Sequence, residues 1–283
     1  MKKMVYNQIR KLGYNITKLA TPNLALYSEY SLESKNKKAF YNVGAGSFSH
    51  PHWTNIDYSS DSYSAMQSNF LEHDLMELVP LPIEDESAEI IYSSHTIEHV
   101  SDEAVRNLIN DSYRALKKGG VIRLTTPDIM LNYAAYQLND RHYYYFADYY
   151  SEKGTYEHKF NIPENKASIE QLFLHQFAGQ LVEFDIRDNV KKYSDQEIEE
   201  VFTSMELEDA LNFFSLKCSF NPMHPENHIN WWSFKKLKTM LEDAGFKIIY
   251  KSGYGQSRYA MLRDTNYFDN THPKISLYVE AVK

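Results

Sequence analysis

Between residues 38 and 128, short apolar runs recur with turn or helical segments between them, and this alternation leaves few architectures open. Ala39-Phe40-Tyr41-Asn42-Val43 is the first run and is halted by Gly44-Ala45-Gly46; residues 54–57, 69–71, 89–92 and 121–124 are the next four. The spacing predicts a helix between the last two runs. Ser101 caps it, Asp102 and Glu103 suit its positive start, Val105, Leu108, Ile109 and Leu116 form its buried face, and Lys117-Lys118-Gly119 closes it. Strands alternating with helical segments imply a parallel, doubly wound sheet. The rhythm breaks over 129–230, which hold eight tyrosines between Tyr133 and Tyr156 and helical stretches near 168–182 and 195–215. It returns after Ser233, with a helix carrying Phe234, Leu237, Leu241 and Ala244 on one face, an end at Gly245, and strands over 246–250 and 275–281.

The Gly-x-Gly directly after the first strand invites a nucleotide reading, and its surroundings narrow it. A dinucleotide fingerprint needs a third glycine where Ser49 stands, and an acidic residue about 20 positions on, whereas Asp57 follows Gly46 by eleven. No Lys-Ser/Thr follows the glycines, so a phosphate-cradling loop fails as well. The stretch from Gly46 to Trp53 is too short for a crossover helix. A ligand with an adenosine-like diol and no pyrophosphate fits better.

Charge restricts the partners. Net charge is −8; residues 1–38 carry eight Lys/Arg against Glu29 and Glu33, a balance of +6, so the remainder stands at −14. A body that acidic repels a nucleic-acid backbone, and no nucleic-acid partner is expected. Val5, Ile9, Leu12, Ile16 and Leu19 place one apolar stripe on a basic N-terminal helix, which reads either as a membrane-surface helix or as one packed on its own domain or on a second subunit. The stripe is narrow and lacks Trp and Phe, which favours packing, and a homodimer through this helix is an expectation. No run approaches the roughly 18 apolar residues of a transmembrane span, no signal peptide is legible, and Cys218 is the single cysteine. A cytoplasmic protein is expected.

Asn42-Val43-Gly44-Ala45-Gly46, Trp53-Thr54-Asn55-Ile56-Asp57, His73-Asp74-Leu75 and the segment Leu81-Pro82-Ile83-Glu84-Asp85 leading into Glu89-Ile90-Ile91-Tyr92 follow one another in an ordered series. Ser93-Ser94-His95-Thr96-Ile97-Glu98-His99-Val100, Leu116-Lys117-Lys118-Gly119-Gly120, Leu241-Glu242-Asp243-Ala244-Gly245-Phe246 and Ser276-Leu277-Tyr278-Val279-Glu280-Ala281 continue it. The series resembles class I S-adenosylmethionine-dependent methyltransferases, in particular the small bacterial subgroup often associated with surface-polysaccharide genes. The resemblance implies an α/β, Rossmann-like fold whose mostly parallel sheet ends in a late antiparallel hairpin. It implies a methyltransferase domain over 38–283, an N-terminal helical extension over 1–37, and a substrate-recognition insert over 129–230. It implies S-adenosylmethionine as cofactor, with Gly44 and Gly46 letting the backbone approach it, Asp57 on the ribose hydroxyls, Asp74 and Leu75 at the adenine, and Ser94 and His95 at the methionine portion.

The implied acceptor is a small molecule or glycan of capsule or O-antigen biosynthesis, methylated on a sugar hydroxyl or on a phosphate-bearing precursor. A non-catalytic assembly module with the same fold is the alternative. A hydroxyl acceptor profits from a base, and His95 is the first candidate, with His228 and Asp128 as further catalytic candidates, Asp128 at the end of the fifth strand reading alternatively as a cap for the following helix. His99 reads as structural. His224-Pro225-Glu226-Asn227-His228 has metal-like spacing, but Pro225 and the missing fourth ligand favour a loop over the substrate, and no metal is expected. The tyrosines of 133–156 read equally as a stacking platform for sugar rings or as the core of a helical lid.

Overall fold

The computed structural model describes residues 23–59, 70–154 and 159–283, so the basic helix expected over 4–20 lies outside the described residues. Seven strands form one sheet: β1 (Phe40–Val43), β2 (Trp53–Asp57), β3 (Leu71–Glu72), β4 (Ala88–Ser94), β5 (Leu116–Pro127), β6 (Ile248–Ser252) and β7 (Ser276–Val282). Their order is β3-β2-β1-β4-β5-β7-β6, with β1 to β5 parallel and β7 antiparallel to both of its neighbours. This is the expected Rossmann-like sheet with its late antiparallel pair. The central strands β1, β4 and β5 are largely buried because both faces of the sheet are covered there. Ile91, Ile122 and Leu124 pack into the cluster under the helices Asp102–Ala115 and Phe234–Asp243. Phe40, Ile90, Tyr92 and Val121 face an opposite cluster with Tyr27, Trp53, Met261 and Phe268.

Helix boundaries follow local chemistry, with one correction. The helix expected to run through Lys118 ends at Ala115, and Leu116 already pairs with Ala88 in β5. Pairing then jumps to Val121 with Ile90, so residues 117–120 bulge out of the strand opposite Glu89. Lys117 tethers the bulge to Glu89 at 2.6 Å. Ser101 and Ser233 each accept a hydrogen bond from the backbone N–H three residues on, which starts their helices as expected. Among the described residues no helix is long and apolar enough to cross a membrane.

Residues 129–230 build a second, largely aromatic core around the helices Ile129–Gln137, Ile169–Ala178, Asp195–Ser204 and Leu207–Ser215. Tyr136 stacks on Phe173 at 4.6 Å and 8°, and Phe202 stacks on Phe214 at 5.7 Å. Tyr144 is 1% exposed and its hydroxyl donates to Asn132 Oδ1 at 2.9 Å. Tyr133, Tyr143 and Tyr145 pack on the same core, so the described part of the tyrosine run is mainly interior, and among its described members Tyr150 lines the cavity described below.

β5 also carries a fully buried cation. The Arg123 guanidinium donates to both oxygens of Asp269, to Glu280, to Ser252 Oγ and to the carbonyls of Gly253 and Gln256. These bonds pin the connection between β6 and β7 beneath the sheet. Replacing Arg123 with Met leaves two carboxylates buried without their cation, at a cost of roughly 3–5 kcal/mol. The expected result is a large drop in the urea midpoint of unfolding; an unchanged midpoint would show that Arg123 does not hold this connection.

Candidate active site

The carboxyl ends of β1, β2 and β4 open into a cavity of about 940 Å³, roofed by the insert and by residues 266–275. Open α/β sheets bind ligands at this edge, and the volume is at the upper end of the range for ligand pockets. At one end the cavity is lined by Gly44, Gly46, Asp57, Asp74, Leu75, Ser94 and His95. The structure thus brings together all the residues expected to hold a cofactor.

Each is placed by its local backbone. Gly44 has φ +70°, and a Cβ there would lie 2.1 Å from Thr96 Oγ1, so this glycine is required by the fold behind the loop. Gly46 has φ +51°, and a Cβ there would meet no atom within 4 Å, so it leaves space open. Asp57 ends β2 and ties that loop down: Oδ2 accepts from Gly46 N at 2.6 Å and Oδ1 from Tyr58 N at 2.8 Å. Asp74 caps the short turn Leu75–Glu77, accepting from Met76 N at 2.8 Å. Among the buried polar atoms on cavity-lining residues, Asn42 Oδ1 and His73 Nε2 have no hydrogen-bond partner. Unpaired buried polar atoms beside an open glycine loop fit a polar, donor-bearing ligand such as S-adenosylmethionine.

His95 leaves β4 with φ +52°, a left-handed conformation that costs a non-glycine residue roughly 1–2 kcal/mol. Its backbone N–H donates to Thr125 O at 2.9 Å, which holds the turn. The ring is engaged on both sides. Nε2 lies 2.8 Å from Ser276 Oγ, and Nδ1 lies 2.9 Å from Glu98 Oε1, at ion-pair distance but without hydrogen-bond alignment. Ser94 Oγ accepts from Thr125 Oγ1 at 2.7 Å.

Glu98 is 1% exposed and accepts from Thr126 Oγ1 at 3.1 Å through Oε2. Burial alone would raise its carboxyl, but the imidazoles of His95, His99 and His228 outweigh it and hold the group down at about 2. His228 lines the cavity as expected; burial, helped by His99, pushes its imidazole down to about 3, so it is neutral and a weak base. Sequence reasoning passed over Glu98, Ser276 and His272, which stands beside His95 at 5.7 Å between ring centroids. Glu98 and Ser276 do fall inside quoted motifs, yet nothing along the chain signals that they meet at His95.

Asp128 requires a correction. It is 2% exposed, does not line the cavity, and caps the helix Ile129–Gln137 by accepting from Met130 N at 3.0 Å, while Lys251 lies 2.9 Å from its second oxygen. Its carboxylate is committed to the cap. The trio of His224, Glu226 and His228 does not assemble either: Glu226 is taken by Lys159 and Arg187, and the segment is a loop.

A family model described as a methyltransferase domain matches residues 28–251. A search of curated proteins finds no match. Among solved structures the chain is similar to a methyltransferase of Archaeoglobus fulgidus, with 12% identity, 100% of this chain and 95% of that chain covered, and a TM-score of 0.40. It is similar to one of Mesorhizobium loti, with 12% identity, coverages of 92% and 96%, and a TM-score of 0.38. A possible histamine N-methyltransferase of Thermotoga maritima gives 11% identity, full coverage of both chains and a TM-score of 0.37. At such scores these likenesses carry no argument about activity.

Asp57 offers the direct test of the cofactor end. Asp57→Ala removes a charged acceptor worth about 2 kcal/mol, so S-adenosylhomocysteine should bind tens of fold more weakly by calorimetry. Unchanged affinity in a variant with native circular dichroism would take Asp57 out of the site.

Proposed function

The chain belongs to the S-adenosylmethionine-dependent methyltransferases of class I, and on that premise we propose that it methylates a hydroxyl of a small, glycan-type acceptor held between the sheet edge and the insert. The observation that carries this reading is the charge pairing at the insert end of the cavity. The two described Lys/Arg residues lining it are neutralised from within: Lys159 pairs with Glu226, and Arg187 with Asp185 and Glu226. Glu98 and Glu164 add further negative charge to the same walls. A phosphate-bearing acceptor would have to displace carboxylates to reach a cation, whereas a neutral hydroxyl meets no such penalty. Phe146, Tyr150, Phe160 and Phe220 give the same region apolar ring faces suited to the CH faces of a sugar. A sugar unit is the acceptor this combination favours, and its place in a surface polysaccharide rests on the sequence resemblance alone.

Bound S-adenosylmethionine supplies an activated methyl group on a sulfonium. The protein's part is to hold the acceptor in line, exclude water and receive the hydroxyl proton. The insert and residues 266–275 provide the exclusion by closing over the strand ends. His95 is the residue we assign to the proton. Glu98 holds one side of its ring, and its Nε2 becomes available to the acceptor when the Ser276 hydroxyl gives way. His228 is too weakly basic for that task.

His95→Asn keeps similar size and some hydrogen bonding but cannot take up the proton. On an identified sugar acceptor, turnover should fall by roughly 100- to 10,000-fold while S-adenosylhomocysteine affinity changes little. Full turnover in the variant would remove His95 from this role and favour an acceptor that arrives already anionic.

A further inference from the structure

His99 and His228 lie far apart in the chain, yet their rings meet at 4.8 Å between centroids. Each ring is anchored in the same way. His99 Nδ1 lies 3.1 Å from the carbonyl of Asn227, and His228 Nδ1 lies 2.9 Å from the carbonyl of Gln176. A carbonyl only accepts, so each Nδ1 carries the hydrogen, and in the neutral ring the lone pair is left on Nε2. Glu98 supplies a third donor: one ligating atom from each of the three residues lies within 4.8 Å of the others. All three residues line the cavity. Glu98 Oε1 is a buried carboxylate oxygen whose contact with His95 Nδ1, at 2.9 Å, lacks hydrogen-bond alignment, which leaves it able to turn to a cation.

We propose that Glu98, His99 and His228 form a divalent metal site on the cavity floor, of the two-histidine, one-carboxylate kind that suits zinc, with its open positions turned toward the acceptor. Three features distinguish this from a chance meeting of polar groups. The donor set is one that zinc accepts in sites that keep a position free for water or substrate. The Nδ1–carbonyl anchors are the outer contacts that orient ligating histidines and settle their tautomer. Thr126 orients Glu98 Oε2 at 3.1 Å, so the carboxylate is steadied as well. Zinc bonds of 2.0–2.1 Å place tetrahedral ligands about 3.4 Å apart, so binding draws the three donors inward by side-chain rotation.

The inference rests on the methyltransferase reading and deepens it. An ion at this position would bind the acceptor's hydroxyl oxygen, orient it, and make its proton easier for His95 to take. It therefore names an oxygen acceptor able to ligate a metal as the substrate class. The trio is distinct from the sequence-adjacent set of His224, Glu226 and His228, because it takes two ligands from the turn after β4 and only His228 from the late loop.

The test uses the full chain, stripped with a chelator and dialysed, then titrated calorimetrically with Zn²⁺ and followed by visible absorption with Co²⁺. The same preparations are titrated with S-adenosylhomocysteine. Wild type should bind one zinc per chain and give the visible bands of ligated cobalt. His99→Ala and His228→Ala should each bind at least about 100-fold more weakly and lose those bands, with cofactor affinity within a few-fold of wild type. Glu98→Gln, nearly isosteric, guards against misfolding of the alanine variants and should weaken zinc by at least about tenfold. Absence of zinc binding by wild type overturns the proposal, as does stoichiometric binding that survives in the His99→Ala/His228→Ala double variant. Failure to take S-adenosylhomocysteine, with or without zinc, would instead overturn the methyltransferase reading and leave the zinc result standing.

Discussion

A guanidinium buried in a β-sheet is tolerated only if every donor is met and its charge is balanced, and Arg123 meets both conditions. It sits in β5 with no exposed surface, and its partners Asp269 and Glu280 are equally buried. Glu280 belongs to β7, whereas Asp269 belongs to the connection between β6 and β7. That connection has little regular structure of its own, and the ion cluster gives it one position. Asp269 N also donates to the Tyr92 hydroxyl at 2.8 Å, which ties the same segment to β4. The consequence reaches the active site, because His272 and Ser276 follow directly and deliver their side chains to His95. A charge buried for structural reasons thus sets the geometry of one wall of the candidate site.

A second buried charge organises the cavity floor. Glu98 is as desolvated as Asp269 but has no guanidinium; three imidazoles surround it instead, the nearest being His95 with Nδ1 at 2.9 Å. Imidazoles are weaker and more adjustable partners than arginine, and a neutral ring keeps one nitrogen lone pair. The insert is decisive in this arrangement. His228 comes from the loop after its last helix, held by a carbonyl at the end of the helix Ile169–Ala178. The aromatic core of the insert is therefore more than a cover, since its packing positions a residue of the site.

Much of the sheet could be read along the chain. The runs at 39–43, 54–57, 89–92 and 121–124 are strands because short segments rich in β-branched and aromatic residues, bounded by turns, suit a sheet covered on both faces. The end of the helix after Ser101 is not legible along the chain, because Lys117-Lys118-Gly119 has the composition of a helix terminus and a bulge uses the same residues. The tyrosine run was ambiguous for a related reason. A tyrosine suits both a buried core and a ligand-facing wall, and only the packing of Tyr133, Tyr143, Tyr144 and Tyr145 on the insert core separates the two.

The sequence by itself determined the parallel sheet, the glycine loop after β1, and the placement of Asp57, Asp74, Leu75, Ser94 and His95 at the strand ends. Those features depend on short-range order: a strand, its end, and the residue types that follow it. Only the tertiary structure decided that Asp128 is a helix cap, that Lys159 and Arg187 are spent on carboxylates, and that Glu98, His99 and His228 share one floor. These outcomes turn on which of several chemically equivalent partners lies within about 3–4 Å, since hydrogen bonds and close ion pairs fade beyond that reach. Proximity between residues some 130 positions apart is a property of packing, and no local pattern encodes it.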